Sequence, residues 1–153
     1  MRQYTEDEIE YITHSRNTGL MTREALDVEL NYIDVTGMAL VVWDVDDMKG
    51  ANNLWGKPVA TTKMRNGARC SEVELTFHLF SGDEYGAIVH YCDALGLAQR
   101  VQAGLRAEGM SATFVILECF NIADVNRYLN DMDNLINQIK AAGGRGTITD
   151  YRS

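Results

Sequence analysis

The sequence predicts an α+β domain in which helices pack on an antiparallel, ferredoxin-like β-sheet. Residues 73–79 alternate apolar and polar side chains at the two-residue period of a half-buried strand. Residues 38–43 form a continuous apolar run, which is typical of a strand covered on both faces. Apolar side chains between Val125 and Ile139 recur at helical spacing. The resulting order is close to β-α-β-β-α-β, which favours helices on one face of the sheet.

Length and composition favour one soluble domain. The chain has 153 residues, with 46% hydrophobic and 24% charged side chains, as in ordinary globular proteins. Its longest uncharged apolar run is far below the ~18 to 20 residues that a membrane span needs. The N-terminus shows no signal-peptide pattern. We therefore expect a cytoplasmic protein without a membrane partner.

Charge and cysteine usage argue against a nucleic-acid site, a disulfide framework and a zinc site. A net charge of -8 argues against a nucleic-acid polymer as a ligand, because such binding needs clustered Lys and Arg. A mononucleotide held through a metal remains compatible with this charge. Cys70, Cys92 and Cys119 are odd in number and widely spaced, so they indicate neither a disulfide framework nor a zinc site.

The N-terminal part of the chain is predicted to be helical. Residues 1–14 form a helical extension, with a capping-box pattern at residues 5–8, and the main domain covers residues 15–153. Thr22 can cap the next helix, whose apolar side chains continue at helical spacing to Ile33. The apolar strand follows this helix.

Two helices and a hairpin are predicted for the middle of the chain. Residues 49–55 form a short helix that is broken at Gly56, and Pro58 fits the first turn of a helix reaching residues 66–67. The alternating strand then turns into a second strand at residues 85–91, which gives a β-hairpin.

The C-terminal part adds a helix, a strand, a helix and an edge strand. Asp93 can cap the first helix, which ends at Gly109. A covered strand at residues 111–117 precedes the longest helix, which ends at Gly143, and residues 147–151 are predicted to form an edge strand.

Two acidic clusters are the candidate functional residues. Asp83 and Glu84 lie at the hairpin tip, and Asp44 with its neighbours follows directly after the apolar strand. Acidic residues in a turn are often only solvated. If the apolar strand pairs with the hairpin, however, Asp44 and Asp83 converge, and a divalent cation relieves the repulsion between close carboxylates. The pair is thus a candidate magnesium site.

The acidic turn resembles the GGDEF signature of diguanylate cyclases, with Ser81 and Tyr85 in place of the first glycine and the phenylalanine. Other stretches resemble motifs of this family in the same order and at nearly the same spacing. They are Thr18-Gly19-Leu20-Met21-Thr22-Arg23 for T-G-L-x-N-R, Asp44-Val45-Asp46-Asp47-Met48-Lys49 for D-h-D-x-F-K, Asn52-Asn53-Leu54-Trp55-Gly56-Lys57 for N-D-x-x-G-H, and Asp133 with Lys140-Ala141-Ala142-Gly143 for the last helix. The family's polymerase-palm-like fold agrees with the elements predicted above.

The resemblance implies a metal centre that serves nucleotidyl transfer. Asp44 and Asp83 would hold one or two Mg²⁺ (or Mn²⁺) ions with help from the Val45 carbonyl. Glu84 would assist the metal or take the proton of the attacking hydroxyl, and Lys49 would be a catalytic cation.

The resemblance also implies a set of substrate-binding residues. Phosphate oxygens would meet main-chain N–H groups at the start of a helix, and a base-reading asparagine would pair with the purine. These residues are Asp47, Met48, Asn52, Thr61, Lys140 and Arg145. Lys140 has a simpler alternative, a solvated charge near a helix C-terminus.

Several positions depart from the family pattern. Thr61 stands where an aspartate usually accepts from guanine, so guanine preference is weakened and adenine becomes admissible. Asp47 and Leu79 also differ from the usual residues. Glu72 and Leu75 replace the inhibitory R-x-x-D, so we expect no product inhibition through that site.

The implied function is condensation of two purine nucleoside triphosphates, foremost GTP, into a cyclic dinucleotide such as cyclic di-GMP. Each subunit would hold one nucleotide, so a homodimer would be the active form. The alternatives are a synthase of a mixed or adenine cyclic dinucleotide, and a degenerate domain that binds a nucleotide or partner without turnover.

Overall fold

The computed structural model describes residues 20–72, 75–78 and 83–151. The predicted extension at residues 1–14 and the hairpin tip at residues 79–82 lie outside this part. The described helices are α1 (Arg23–Glu29), α2 (Met48–Trp55), α3 (Lys57–Arg69), α4 (Tyr91–Ala107) and α5 (Ile122–Ala141). The described strands are β1 (Met38–Val45), β2 (Thr76–His78), β3 (Glu84–His90), β4 (Ala112–Cys119) and β5 (Ile148–Tyr151).

The strands form one sheet in the order β2-β3-β1-β4-β5. The central strand β1 pairs antiparallel with β3 on one side and β4 on the other. β2 pairs antiparallel with β3, whereas the edge strand β5 runs parallel to β4. The predicted α+β, palm-like sheet is confirmed, with one parallel pair at its edge.

Helices cover both faces of the sheet, so the prediction that they lie on one face is wrong. On one face, β1 side chains such as Val41 and Trp43 pack with α2, α3 and α4. On the other face, Leu40 and Val42 pack with α1 and α5. The physical reason is the apolar run itself, because a strand that is apolar at every position must be buried on both faces.

Most element boundaries agree with the sequence prediction. Thr22 caps α1 by accepting a hydrogen bond from the Ala25 N–H, although α1 ends at Glu29 rather than reaching Ile33. The predicted cap at Asp93 is wrong, since α4 begins at Tyr91. β3 runs directly into this helix with His90 as its N-cap residue, so Asp93 already lies in the first turn, and the Tyr91 N–H donates to the Gly37 carbonyl at 3.1 Å.

An aromatic layer lies beneath the end of β1. Trp43 stacks on Tyr85 at a centroid distance of 5.9 Å and packs against Phe114 at 5.5 Å. All three side chains are fully buried. Tyr85, which replaces the phenylalanine of the signature, is therefore a core residue, and burial together with the nearby Asp83 charge raises its pKa.

Among the described residues, no helix combines the length and hydropathy needed to cross a bilayer.

Candidate active site

The two acidic segments meet at the end of β1. Register pairing places Asp44 opposite Glu84 on β3, and the Val45 N–H donates to the Asp83 carbonyl at 3.0 Å. The two side chains are close enough for the Asp83 carboxylate to raise the pKa of Asp44. The structure thus brings together the carboxylates that the sequence pointed to, while their role as metal ligands stays a prediction.

Asp44 is in an environment that disfavours its charge. Burial is the main cause, and the Asp83 carboxylate adds to it, so that the pKa of Asp44 rises to about 7 although Lys140 opposes the shift. A cation placed between the two carboxylates would favour the ionised form. This is the electrostatic condition for a divalent-metal site.

One oxygen of Asp44 supports the fit of a metal. Asp44 Oδ1 is buried and accepts no hydrogen bond from any group in the described part of the chain. A buried carboxylate oxygen without a donor is costly, and coordination to a hard cation such as Mg²⁺ would satisfy it. The described residues hold no group of three or more His, Cys, Asp or Glu side chains arranged for metal binding. A cation here would therefore need main-chain or substrate oxygens besides the two carboxylates.

Asp46, for which no role was predicted, organises the neighbouring residues. It accepts hydrogen bonds from Ser111 Oγ at 2.9 Å and from Thr113 Oγ1 at 2.8 Å, both at the start of β4. Lys140 Nζ lies 3.1 Å from Asp46 Oδ1. The two-residue spacing of Asp44 and Asp46 was a signal for this pair, because it puts both on one face of a strand.

Lys140 lies inside the site rather than in solvent. Its Nζ is 3.4 Å from Asp44 Oδ2, and its side chain is only 11% exposed. The alternative of a solvated charge is therefore wrong, because the end of α5 packs over the end of β1 and turns this side chain inward. Arg145, by contrast, is exposed beyond the end of α5.

The predicted base-reading residues share a pocket of about 240 Å³. Asn52 on α2, Thr61 on α3 and Asp83 line it. The turn at Gly56 brings the two helices side by side. The pocket is smaller than the roughly 300 to 1,000 Å³ of whole-ligand sites. It suits part of a nucleotide, such as a base, with the remainder outside.

Asn52 has an unused acceptor in this pocket. Its Oδ1 is buried and has no hydrogen-bond donor among the described residues. A ligand that offers an N–H group would satisfy it. The remaining lining side chains are Met48, Lys57 and Met64.

The start of α2 is shaped by Asp47. This residue caps the helix in a left-handed conformation, with φ 54°, and its carboxylate accepts from the Gly50 N–H at 3.1 Å. A Cβ on Gly50 would lie 2.3 Å from Asp47 Oδ2, so only glycine leaves room for this contact. The N–H groups of Met48 and Lys49, at the helix start, have no intrahelical acceptor and remain able to meet an anion. The Lys49 side chain is exposed.

No protein-family model and no curated protein matches this chain. Solved structures do match, and they are GGDEF domains. The GGDEF domain of DgcB from Caulobacter crescentus, in complex with c-di-GMP, is 20% identical over 100% of this chain and 97% of that chain, with a TM-score of 0.65. This chain therefore has the fold of GGDEF domains.

Two further structures show the same similarity. A microbial GGDEF domain studied with bis-(3′,5′)-cyclic di-GMP is 19% identical over 91% of this chain and 99% of that chain, with a TM-score of 0.69. The diguanylate cyclase SiaD from Pseudomonas aeruginosa, in complex with its activator SiaC, is 20% identical over 90% of this chain and 61% of that chain, with a TM-score of 0.66.

Proposed function

We propose that this chain is a nucleotidyltransferase that condenses two purine nucleoside triphosphates, foremost GTP, into a cyclic dinucleotide such as cyclic di-GMP. The observation that carries the proposal is that half-buried Asp44 lies close to Asp83, beside the pocket of Asn52 and Thr61. GGDEF domains of the same fold have been solved with c-di-GMP, which supports a guanine nucleotide as the substrate class.

The carboxylates of Asp44 and Asp83 would hold Mg²⁺ or Mn²⁺, with the Val45 carbonyl and Glu84 as further oxygen ligands. When bound, the cation neutralises charge that develops on the phosphates and favours the deprotonated 3′-hydroxyl. The unsatisfied Asp44 Oδ1 supports this assignment.

The other residues of the site would bind and orient the nucleotide. First-turn N–H groups of α2, from Asp47 to Lys49, would donate to phosphate oxygens. The side chains of Lys49 and Arg145 are exposed and able to contact the outer phosphates. Asn52 would accept from the base, and Glu84, opposite Asp44, would receive the proton of the attacking hydroxyl.

In the part of the chain that the structure describes, one pocket suited to a base lies beside the acidic pair, whereas the reaction joins two nucleotides. We therefore propose that two subunits face each other as a homodimer, each with one nucleotide. Because such a dimer forms by mass action, activity per subunit should increase with protein concentration.

Thr61 supports a second candidate with the same chemistry. A threonine hydroxyl both donates and accepts, whereas an ionised aspartate only accepts, so adenine is admissible in the pocket. The product would then be a mixed or adenine cyclic dinucleotide. The third candidate is a degenerate domain that binds nucleotide without turnover.

Removing one carboxylate separates catalysis from binding alone. Asp83→Asn should abolish metal-dependent conversion of nucleotide without lowering the unfolding temperature, because Asp83 is partly exposed at the sheet end and its charge repels Asp44. Asp93→Asn, an exposed carboxylate in the first turn of α4, is the matched control and should stay active. Full activity in folded Asp83→Asn would refute the proposed site.

A further inference from the structure

Lys140 lies at the end of α5, where a lysine usually extends into solvent beside the last carbonyl groups. Here its ammonium is directed at the candidate metal centre and contacts two carboxylates, Asp46 at 3.1 Å and Asp44 at 3.4 Å. Its side chain is 11% exposed, so water screens these contacts only weakly. The site therefore already contains one cation that belongs to the protein.

The two carboxylates hold this ammonium unequally. Asp46 is 9% exposed, and its oxygens accept hydrogen bonds from Ser111 and Thr113 and contact the Lys140 ammonium. These three partners stabilise its negative charge. Asp44 makes the longer contact with Lys140, is repelled by Asp83, and keeps Oδ1 without a donor. Lys140 is thus held more closely by Asp46 than by Asp44.

We propose that Lys140 is the resident counter-ion of the metal centre, balancing Asp44 until a divalent cation binds and displaces the ammonium from that carboxylate. The inference rests on the metal site of the proposed function. An ammonium within ion-pair distance of a metal-binding carboxylate repels the incoming cation and lowers the affinity for it. Asp46 keeps the displaced ammonium close to the site.

The test is a titration with Mn²⁺, in which free Mn²⁺ is measured by electron paramagnetic resonance. Lys140→Met removes the charge and keeps a side chain of similar length. This variant should bind Mn²⁺ about tenfold more tightly than the natural chain, because a charge interaction of about one pK unit changes an equilibrium constant by a factor of about ten. Lys140→Arg keeps the charge and should not gain affinity. Lys63→Met is the matched control, because this substitution also removes an ion pair, the one between Lys63 and Glu108 on the far side of α3.

Thermal unfolding gives a second measurement that needs no activity. Without metal, Lys140→Met leaves Asp44 and Asp46 without their cation and should unfold at a lower temperature than the natural chain. Mn²⁺ should then raise its unfolding temperature by more than that of the natural chain, because tighter binding stabilises more. If the methionine variant does not fold, Lys140→Gln removes the same charge and still donates to Asp46.

The outcomes separate this inference from the proposed function. If Lys140→Met and Lys140→Gln bind Mn²⁺ no more tightly than the natural chain, while Asp44→Asn loses binding, the proposed metal site is supported and the proposed role of Lys140 is refuted. If neither the natural chain nor any Lys140 variant binds Mn²⁺, the metal site and the inference both fail.

Discussion

Asp44→Asn should make the protein more stable at neutral pH, although it removes an ion pair with Lys140. The folded-state pKa of Asp44 is about 7, against an ordinary value of 3.8. A shift of about three units corresponds to about 4 kcal/mol, at about 1.36 kcal/mol per unit. Because the side chain retains 18% exposure and water screens part of the effect, we expect about 1 to 2 kcal/mol. For a domain of this size that is an increase of roughly 2 to 8 °C in the unfolding temperature.

The sign of the pH dependence follows from which state holds the proton. Below the unfolded-state pKa of 3.8, Asp44 is protonated in both states and adds no penalty. As the pH rises from there to about 7, the unfolded chain releases this proton while the folded protein keeps it, so stability falls. The natural chain should therefore lose stability relative to Asp44→Asn across this interval, and the difference should be constant above it.

Thermal unfolding of both proteins between about pH 4 and about pH 8, without divalent cations, measures this difference. Asp46→Asn is the internal control. Asp46 is fully hydrogen-bonded and paired with Lys140, so its loss should destabilise the protein near neutral pH. An Asp44→Asn protein that is no more stable than the natural chain at pH 8, with a difference that does not change with pH, would refute the reasoning.

Three further predictions concern the base pocket, the core and regulation. Thr61→Asp should tighten GTP binding relative to ATP by ~10-fold or more, as measured by calorimetry with magnesium. The control, Thr62→Asp on the exposed side of α3, should leave the ratio of the two dissociation constants unchanged, and equal ratios in both variants would show that Thr61 does not read the base. Gln102→Leu should lower the free energy of unfolding, measured in urea, by about 2 to 4 kcal/mol, because the buried Gln102 amide makes three hydrogen bonds to main-chain groups of Ala112 and Gly146. A loss below about 1 kcal/mol would contradict the stabilising role of these hydrogen bonds. Added c-di-GMP should not inhibit turnover through the cavity that Glu72 and Leu75 line, and inhibition that Glu72→Ala relieves would contradict that expectation.

The local patterns of the sequence were sufficient to predict the sheet and the meeting of the acidic segments. An unbroken apolar run identifies the central strand, and an alternating run before an acidic turn identifies the hairpin beside it. Once those strands are neighbours, Asp44 and Asp83 have to lie at the same end of the sheet. Asn52 and Thr61 share a pocket for a similar reason, because a glycine and a proline set the turn between their helices.

What the sequence could not supply depends on packing between distant elements. A lysine near a helix end is normally solvated, and nothing local to Lys140 shows that α5 ends over the acidic cluster. The role of Asp46 requires Ser111 and Thr113, which lie more than sixty residues away. The second helical layer, in contrast, was predictable from the apolar run of β1, which has no polar face to expose.

The measurement that tests the central claim most directly is identification of the product. The protein is incubated with magnesium and GTP, ATP or an equimolar mixture, at high and low protein concentration, and the products are identified by mass spectrometry. The proposed function predicts a cyclic dinucleotide that contains guanine, formed at a rate per subunit that increases with protein concentration, and absent with Asp83→Asn. Unchanged nucleotides under every condition, from protein that binds GTP, would contradict the account and identify a nucleotide-binding domain without turnover.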